Sequence, residues 1–378
     1  MKLTQHMWKP GTGLEGDAPI TGPNDPSRDL VLYFAERALF ESDAVAQLAG
    51  LFPGATLIGC STGGQIHGRS LVDAPATLTH VRFERTLLAS AAVDVDGAGG
   101  SWQAGRRLAD RIHRDGLRAV FVLADGTKVN GSELIQGIRD VVGRNTVITG
   151  GLAGDGPRFE RTFVGLGAKA QPGLVAAIGL CGPDLTIGVG SCGGWDAFGP
   201  ERKITRAEAN VLFELDGKPA LDLYKRYLGE EADRLPGSAL LFPLRVYPPG
   251  EPVSAIMRTV VGIDEARQAM IFAGDVPQGH SAQLMRGQFD RLIEGAGTAG
   301  EQIGAFGRER LAILVSCIGR RLLMGQRVIE EIEAASEALG PATRLTGFYS
   351  YGEICPHDAT GFCELHNQTM TITAIAEG

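Results

Sequence analysis

The chain has 378 residues, 44% of them apolar, and its 36 basic and 44 acidic side chains give a net charge of -8. That length is too great for one small core and too short for three large domains, so two domains are expected. No run of Lys or Arg exceeds two residues, and a field of this sign repels phosphate backbones, which argues against nucleic acid as a partner.

Residues 1–10 carry Lys2, His6 and Lys9 around a few apolar positions and lack the long apolar core of an export signal. No stretch approaches the roughly 18 apolar residues of a membrane span, so a soluble cytoplasmic protein is expected. Residues 10–28 are rich in Gly, Pro, Asp and Asn without a hydrophobic period, and 1–28 reads as an irregular lead-in. Structure is expected from a buried strand at 30–34, a helix over 43–51 that Ser42 can cap, and a strand at 55–60. Alternating segments follow at 78–83 and 87–95. A second unit runs through a helix at 101–114, a strand at 119–124, a helix near 132–142 and a strand at 146–149, with further strands at 161–166, 174–180 and 186–190. Residues 205–213 read as helical, with a turn at Asp216-Gly217 and a helix from Pro219 to Leu228. Strands near 240–246, 254–262 and 270–273 begin another sheet. A third unit closes the chain: strand 311–317, helix 328–339, strand 344–348, then strands at 362–365 and 370–376. The expected class is α/β in the mixed α+β sense: two related mixed sheets flanked by helices, in domains spanning 29–198 and 199–378.

Each strand-helix-strand unit ends in a similar phrase: Ile58-Gly59-Cys60-Ser61-Thr62-Gly63-Gly64-Gln65-Ile66, Thr149-Gly150-Gly151-Leu152-Ala153-Gly154-Asp155-Gly156, and Thr346-Gly347-Phe348-Tyr349-Ser350-Tyr351-Gly352-Glu353-Ile354. A repeated structural unit is the economical explanation. Two enzyme-like motifs fail on context. Gly11-Thr12-Gly13-Leu14-Glu15-Gly16 fits the dinucleotide fingerprint but lacks the flanking strand and helix. Gly59-Cys60-Ser61-Thr62-Gly63 fits a nucleophile elbow, yet residues 64–75 have no helical period, so a tight turn that admits close backbone approach is favoured over a catalytic Ser61. The other phrases place Ala153 and Ser350 opposite Ser61.

The six cysteines, Cys60, Cys181, Cys192, Cys317, Cys355 and Cys363, are scattered through mostly apolar segments, the pattern of reduced core thiols. Cys355, His357, Cys363 and His366 cluster in the tail without a zinc spacing, and on one extended strand Cys363 and His366 point to opposite faces. A haem needs only one or two axial donors. His366, Cys355 and, directly after the first phrase, His67 are candidates, against the alternative that each is a hydrogen-bonded structural residue.

The glycine phrases resemble the FIST sensory domain family, taken together with Val189-Gly190 to Gly194-Trp195, the stretch Phe213 to Ala220 with Tyr224 and Tyr227-Leu228-Gly229, and Tyr349 to Ile354 leading to Leu365-His366-Asn367-Gln368-Thr369-Met370-Thr371. The likeness covers residues 29–377, with N-terminal and C-terminal FIST portions in order. It implies a non-catalytic input module of signal transduction that binds a small molecule. The free-standing form is similar to bacterial haem b-based nitric oxide sensors that act on a partner histidine kinase. An amino acid or related metabolite is the alternative ligand, and a hydrolase or transferase using Ser61 the opposing class. A homodimer is left open. The residues expected at the ligand are Gly59, Cys60, Ser61, Thr62, Gly63, Gly64, Gly151, Asp155, Tyr349, Tyr351, Gly352, Glu353, His366, Asn367 and Thr369, whose amides, hydroxyls, carboxylates and aromatic walls suit a small polar ligand.

Overall fold

The apolar runs at 30–34, 120–124 and 311–315 have no polar face, so each must be covered on both sides, as strands of a parallel pair are. In the structure, a computed structural model that describes residues 1–235, 237–304, 309–358 and 360–378, these runs are the lead strands Asp29–Ala35, Leu117–Ala124 and Arg310–Cys317. Each passes through a helix (Ala44–Leu51, Gly131–Val142 and Val328–Leu339) into a return strand, Thr56–Ser61, Val147–Leu152 or Thr343–Ser350. Lead and return strands pair in parallel in all three units. The other side of each lead strand pairs antiparallel with Ala76–Arg82, Leu174–Cys181 or Met370–Glu377. Those strands in turn take Lys2–Lys9, Leu87–Asp94 or Leu185–Cys192.

The units are related by an approximate threefold and exchange strands in a ring. The strand after each glycine phrase leaves its own sheet and covers the exposed edge of another unit's return strand. Gln65–His67 of the first unit pairs with Thr343–Ser350 of the third. Val164–Leu166 of the second pairs with Thr56–Ser61 of the first, and Gly352–Pro356 of the third pairs with Val147–Leu152 of the second. No unit can therefore complete its sheet alone. The inward faces of the three sheets share one core, in which Phe34 of the first unit stacks on Phe348 of the third with ring centroids 4.7 Å apart.

Three expectations change. Among the described residues the strands form four sheets, three of them equivalent, where two were expected. The fourth is an insertion within the third unit, from Trp195–Glu208 to Ser281–Gly287, with its own core around Tyr224 and helix Ala220–Leu228. Residue 198 thus lies inside a strand, and residues 199–378 supply strands to two of the repeated sheets as well as the insertion. The segment 205–213 is extended: Trp195–Glu208 pairs with Val211–Leu215, and Ala209 turns the chain at φ 48°. Cross-strand pairing outweighs local helix preference there. Finally, 1–28 is not irregular throughout, since Lys2–Lys9 and Gly13–Gly16 form a hairpin on the edge of the first sheet.

The close parallel pairing has a steric condition. Gly59, Gly150 and Gly347, the second residue of each phrase, lie opposite Tyr33, Val122 and Leu314 in their parallel registers. A Cβ on any of them would fall well under 3 Å from the carbonyl oxygen of that partner. Gly59→Ala is therefore expected to cost roughly 3 kcal/mol or more of stability in urea unfolding, because backbone rather than a flexible side chain must move. Gly50→Ala, in an open helical position with nothing within 4 Å of a new Cβ, should instead stabilise by up to about 1 kcal/mol.

Candidate functional site

The strand exchange brings the three phrases together at the carboxyl ends of the parallel strands. They are stitched by a cycle of main-chain hydrogen bonds: Gly63 N–H donates to Tyr349 O (2.7 Å), Gly154 N–H to Ser61 O (2.9 Å) and Tyr351 N–H to Leu152 O (3.1 Å). Counted from the opposed glycines, the donors occupy one equivalent position and the acceptors another. The counterparts of Ser61 are thus Leu152 and Tyr349, whereas Ala153 and Ser350 match Thr62. Ser61 is fully buried, and its Oγ accepts from the Phe163 amide at 2.9 Å.

Above this cycle opens a cleft of about 550 Å³, at the strand ends where open α/β sheets place ligands. Its floor is Thr62, Gly63, Gly64 and Gln65, one wall is Glu36, Arg37 and Glu41 at the end of the first lead strand, and the opposite wall is Ile318, Arg321 and Leu322. Asp73 and the loop from Gly156 to Glu160 complete it. Arg321 reaches across the floor to the Gly63 carbonyl, lies 5.7 Å from the Tyr349 ring centre, and is 3.9 Å from Asp73. A side chain at Gly64, where φ is 140°, would occupy the guanidinium's place. Arg37 bonds Glu41 at 2.9 Å, Glu160 at 2.9 Å and Asp155 at 3.2 Å.

Asp155 is the fixed point of the wall. Burial would raise its carboxyl, but the Tyr351 hydroxyl, the Arg161 and Glu160 amides and Arg37 together hold it below the ordinary carboxylate range. It also accepts the Phe159 amide at 3.0 Å. The loop from Gly156 to Arg161 is thus folded around one ionised carboxylate.

The other expected ligand residues are distributed by this geometry. Thr62, Gly63 and Gly64 face the cleft, and Tyr351 lines a second cleft beside it. Gly59, Cys60, Gly151 and Gly352 serve strand pairing and the core. Tyr349 is buried and donates to Glu331 at 2.7 Å; Glu331 also bonds Ser316 and pairs at 2.8 Å with the fully buried Arg320. Glu353 is fully buried and receives the Ser350 hydroxyl at 2.7 Å and the Thr369 hydroxyl and amide at 2.9 and 3.1 Å. Asn367 is buried against the insertion, its Oδ1 3.4 Å from the Thr259 amide. Sequence reasoning missed Glu36, Arg37, Asp73, Arg158 and Arg321. The position of Glu36 and Arg37 directly after a lead strand was the signal available for two of them.

The candidate axial donors do not fit a haem as they stand. His366 and Cys355 sit on neighbouring strands of the second sheet, both buried, and a ring nitrogen of His366 is engaged with the Cys355 carbonyl at 3.0 Å. Burial lowers the His366 imidazole to about 3 and raises the Cys355 thiol. His67 lies on the third sheet, opposite Thr346. None of the three lines a described cavity large enough for a porphyrin. No group of three or more His, Cys, Asp or Glu among the described residues could hold a metal ion.

Burial also raises the Glu353 carboxyl to about 8, against the pull of its three donors. The folded protein then keeps a proton that the unfolded chain releases above the ordinary carboxylate value, so this group's contribution to stability falls as pH rises towards 8. Between pH 7 and 8, above the unfolded-state value of His366 and the other histidines that burial lowers, urea unfolding should show a loss of about 1 kcal/mol in the parent. Glu353→Gln, though less stable overall, should lack that slope; an unchanged slope would refute the assignment.

No helix among the described residues is long and apolar enough to cross a membrane. A FIST N domain model matches residues 29–218 and a FIST C domain model matches 220–356. The N-terminal match begins where the first lead strand does and runs past residue 198 into the insertion. An uncharacterized protein of Methanocaldococcus jannaschii is 24% identical over an alignment of 299 residues that covers 71% of this chain and 55% of that protein. The chain thus spans about half the length of this curated relative. Among solved structures, a cyanuric acid hydrolase from A. caulinodans aligns over 93% of this chain and 90% of its own at 10% identity and a TM-score of 0.36, a likeness too slight to carry an argument. FIST domains are associated with sensing small ligands in signal transduction. With the N-terminal model matching half of the chain and the C-terminal model following it in order, this protein belongs to the FIST family.

Proposed function

We propose that this protein is a non-catalytic sensor that binds a small zwitterionic metabolite, such as an amino acid, in the cleft above the three phrases. The observation that carries this reading is the mixed charge of the cleft: Arg321, Arg37 and Arg158 stand among Glu36, Glu41, Asp73 and Glu160. A carboxylate can be taken by an arginine fork while an ammonium group meets a carboxylate on the facing wall. The occupied, buried Oγ of Ser61 supports binding over hydrolysis. The output is a signalling protein or domain, with a histidine kinase the candidate that the family resemblance favours. Because the cleft is built from all three units, a ligand there can alter how they sit on one another, which is the differential contact a signal requires.

A thermal-shift screen of the amino acids should find one or more that raise the melting temperature in a concentration-dependent way. Arg321→Ala, which removes charge-assisted bonds, should weaken that ligand by about tenfold or more. No stabilisation by any amino acid at millimolar concentration, or equal stabilisation of the variant, would sink the proposal. The haem version has its own check. Protein expressed with ample haem should purify without a stoichiometric Soret band, and a saturating band that shifts with nitric oxide and disappears in His366→Ala would replace the metabolite reading.

A further inference from the structure

The insertion does not pack flush against the core. Between its strand Ala269–Phe272 and the loop after the second lead strand lies a separate cleft of about 420 Å³. The core side is walled by Tyr351 and Phe159, stacked with centroids 4.3 Å apart and planes at 15°. The insertion side presents Ile271, Phe272 and Val261. Phe159 and Val261 are 38% and 41% exposed, two of the few large apolar side chains left open to water, and they line the same cleft. Phe159 is also held at φ 54°, a left-handed conformation that costs a bulky residue energy.

The polar side chains of the lining are Thr127, Lys128 and Asn130 on the core side and Asn210 on the insertion side. The Lys128 ammonium pairs with Asp96, 3.2 Å away, and the two side chains are 49% and 73% exposed; such a pair is worth little and can re-form with a ligand. Asn210 donates its Nδ2 to the Phe272 carbonyl at 2.8 Å, which leaves its Oδ1 to accept. Gly126 lets this loop lie against Ala153 and Tyr351, where a Cβ would meet both. Apolar walls face one cation on the core side and the Asn210 amide oxygen on the insertion side.

We propose that this cleft is a second binding site, which takes a planar aromatic compound carrying a single acidic group. Stacking on the Phe159 and Tyr351 pair selects planarity, Lys128 takes the acid, and Asn210 accepts from a ring N–H. The site lies between core and insertion, so its occupancy sets how the insertion is held against the second unit. It does not depend on the zwitterion reading of the first cleft.

The test is isothermal titration of the full chain with indole-3-acetate, with indole and cyclohexylacetate as controls. Indole-3-acetate should saturate one site at least tenfold more tightly than cyclohexylacetate. Lys128→Ala should reduce its affinity to that of indole, and Phe159→Ala should weaken it about tenfold, with circular dichroism verifying the fold. Arg321→Ala should leave it unchanged. The proposal is overturned by no saturable binding at millimolar concentration, by equal binding of cyclohexylacetate, or by indifference to both Lys128→Ala and Phe159→Ala. Loss of binding in Arg321→Ala would assign the ligand to the first cleft and reject the second, whereas failure of the amino-acid screen leaves this result untouched.

Discussion

The structure depends on the exchange of one strand from each unit to the next. A return strand at the edge of a three-element unit would expose a full row of unpaired amides and carbonyls, an edge that invites aggregation. Here Gln65–His67, Val164–Leu166 and Gly352–Pro356 each close a neighbour's edge, and the cycle through Gly63, Gly154 and Tyr351 locks the crossing points. Because the pairing is mutual, the three sheets and their shared core around Phe34 and Phe348 form together.

The same constraint locates the clefts. Three strand pairs end side by side, so the loops after the lead strands diverge over the crossing point and leave concave space between them. What fills that space differs by unit, and the threefold is broken where chemistry could be expected. After the first lead strand stand Glu36 and Arg37, after the second the Lys128 loop, and after the third a helix that carries Arg320 inward to Glu331 and Arg321 outward to the cleft. The inward pair is sustained by full hydrogen bonding: Arg320 also serves the Leu292 and Gly193 carbonyls, while Glu331 serves Ser316 and Tyr349. Buried ions require that degree of satisfaction.

The second unit departs from its fellows by a loop between its phrase and its exchanged strand. That loop is wrapped on Asp155, whose carboxylate gathers the amides of Phe159, Glu160 and Arg161 with Arg37 and Tyr351. It lends Arg158 and Glu160 to one cleft and Phe159 to the other. A single buried anion thus holds the partition between the two spaces, with partners from all three units.

The sequence by itself determined the strand-helix-strand periodicity, the phrases that end each unit, and the family, because continuous apolar runs and small residues at fixed offsets are local facts. Gly59, Gly150 and Gly347 were visible as a pattern, and their steric reason, a facing carbonyl in a parallel register, explains why the pattern exists. The helix expected at 205–213 and the lead-in at 1–28 misled because strand partners decide the conformation there: the adjoining hairpin arm at 211–215 with 269–272 beyond it in the first case, and 76–82, far along the chain, in the second. Only the tertiary structure decided that the sheets number three plus an insertion, and that Glu353, Tyr349 and Asn367 turn inward while Arg37 and Arg321 meet a cleft. Which face a residue presents depends on the strand that crosses it, and here that strand belongs to another unit.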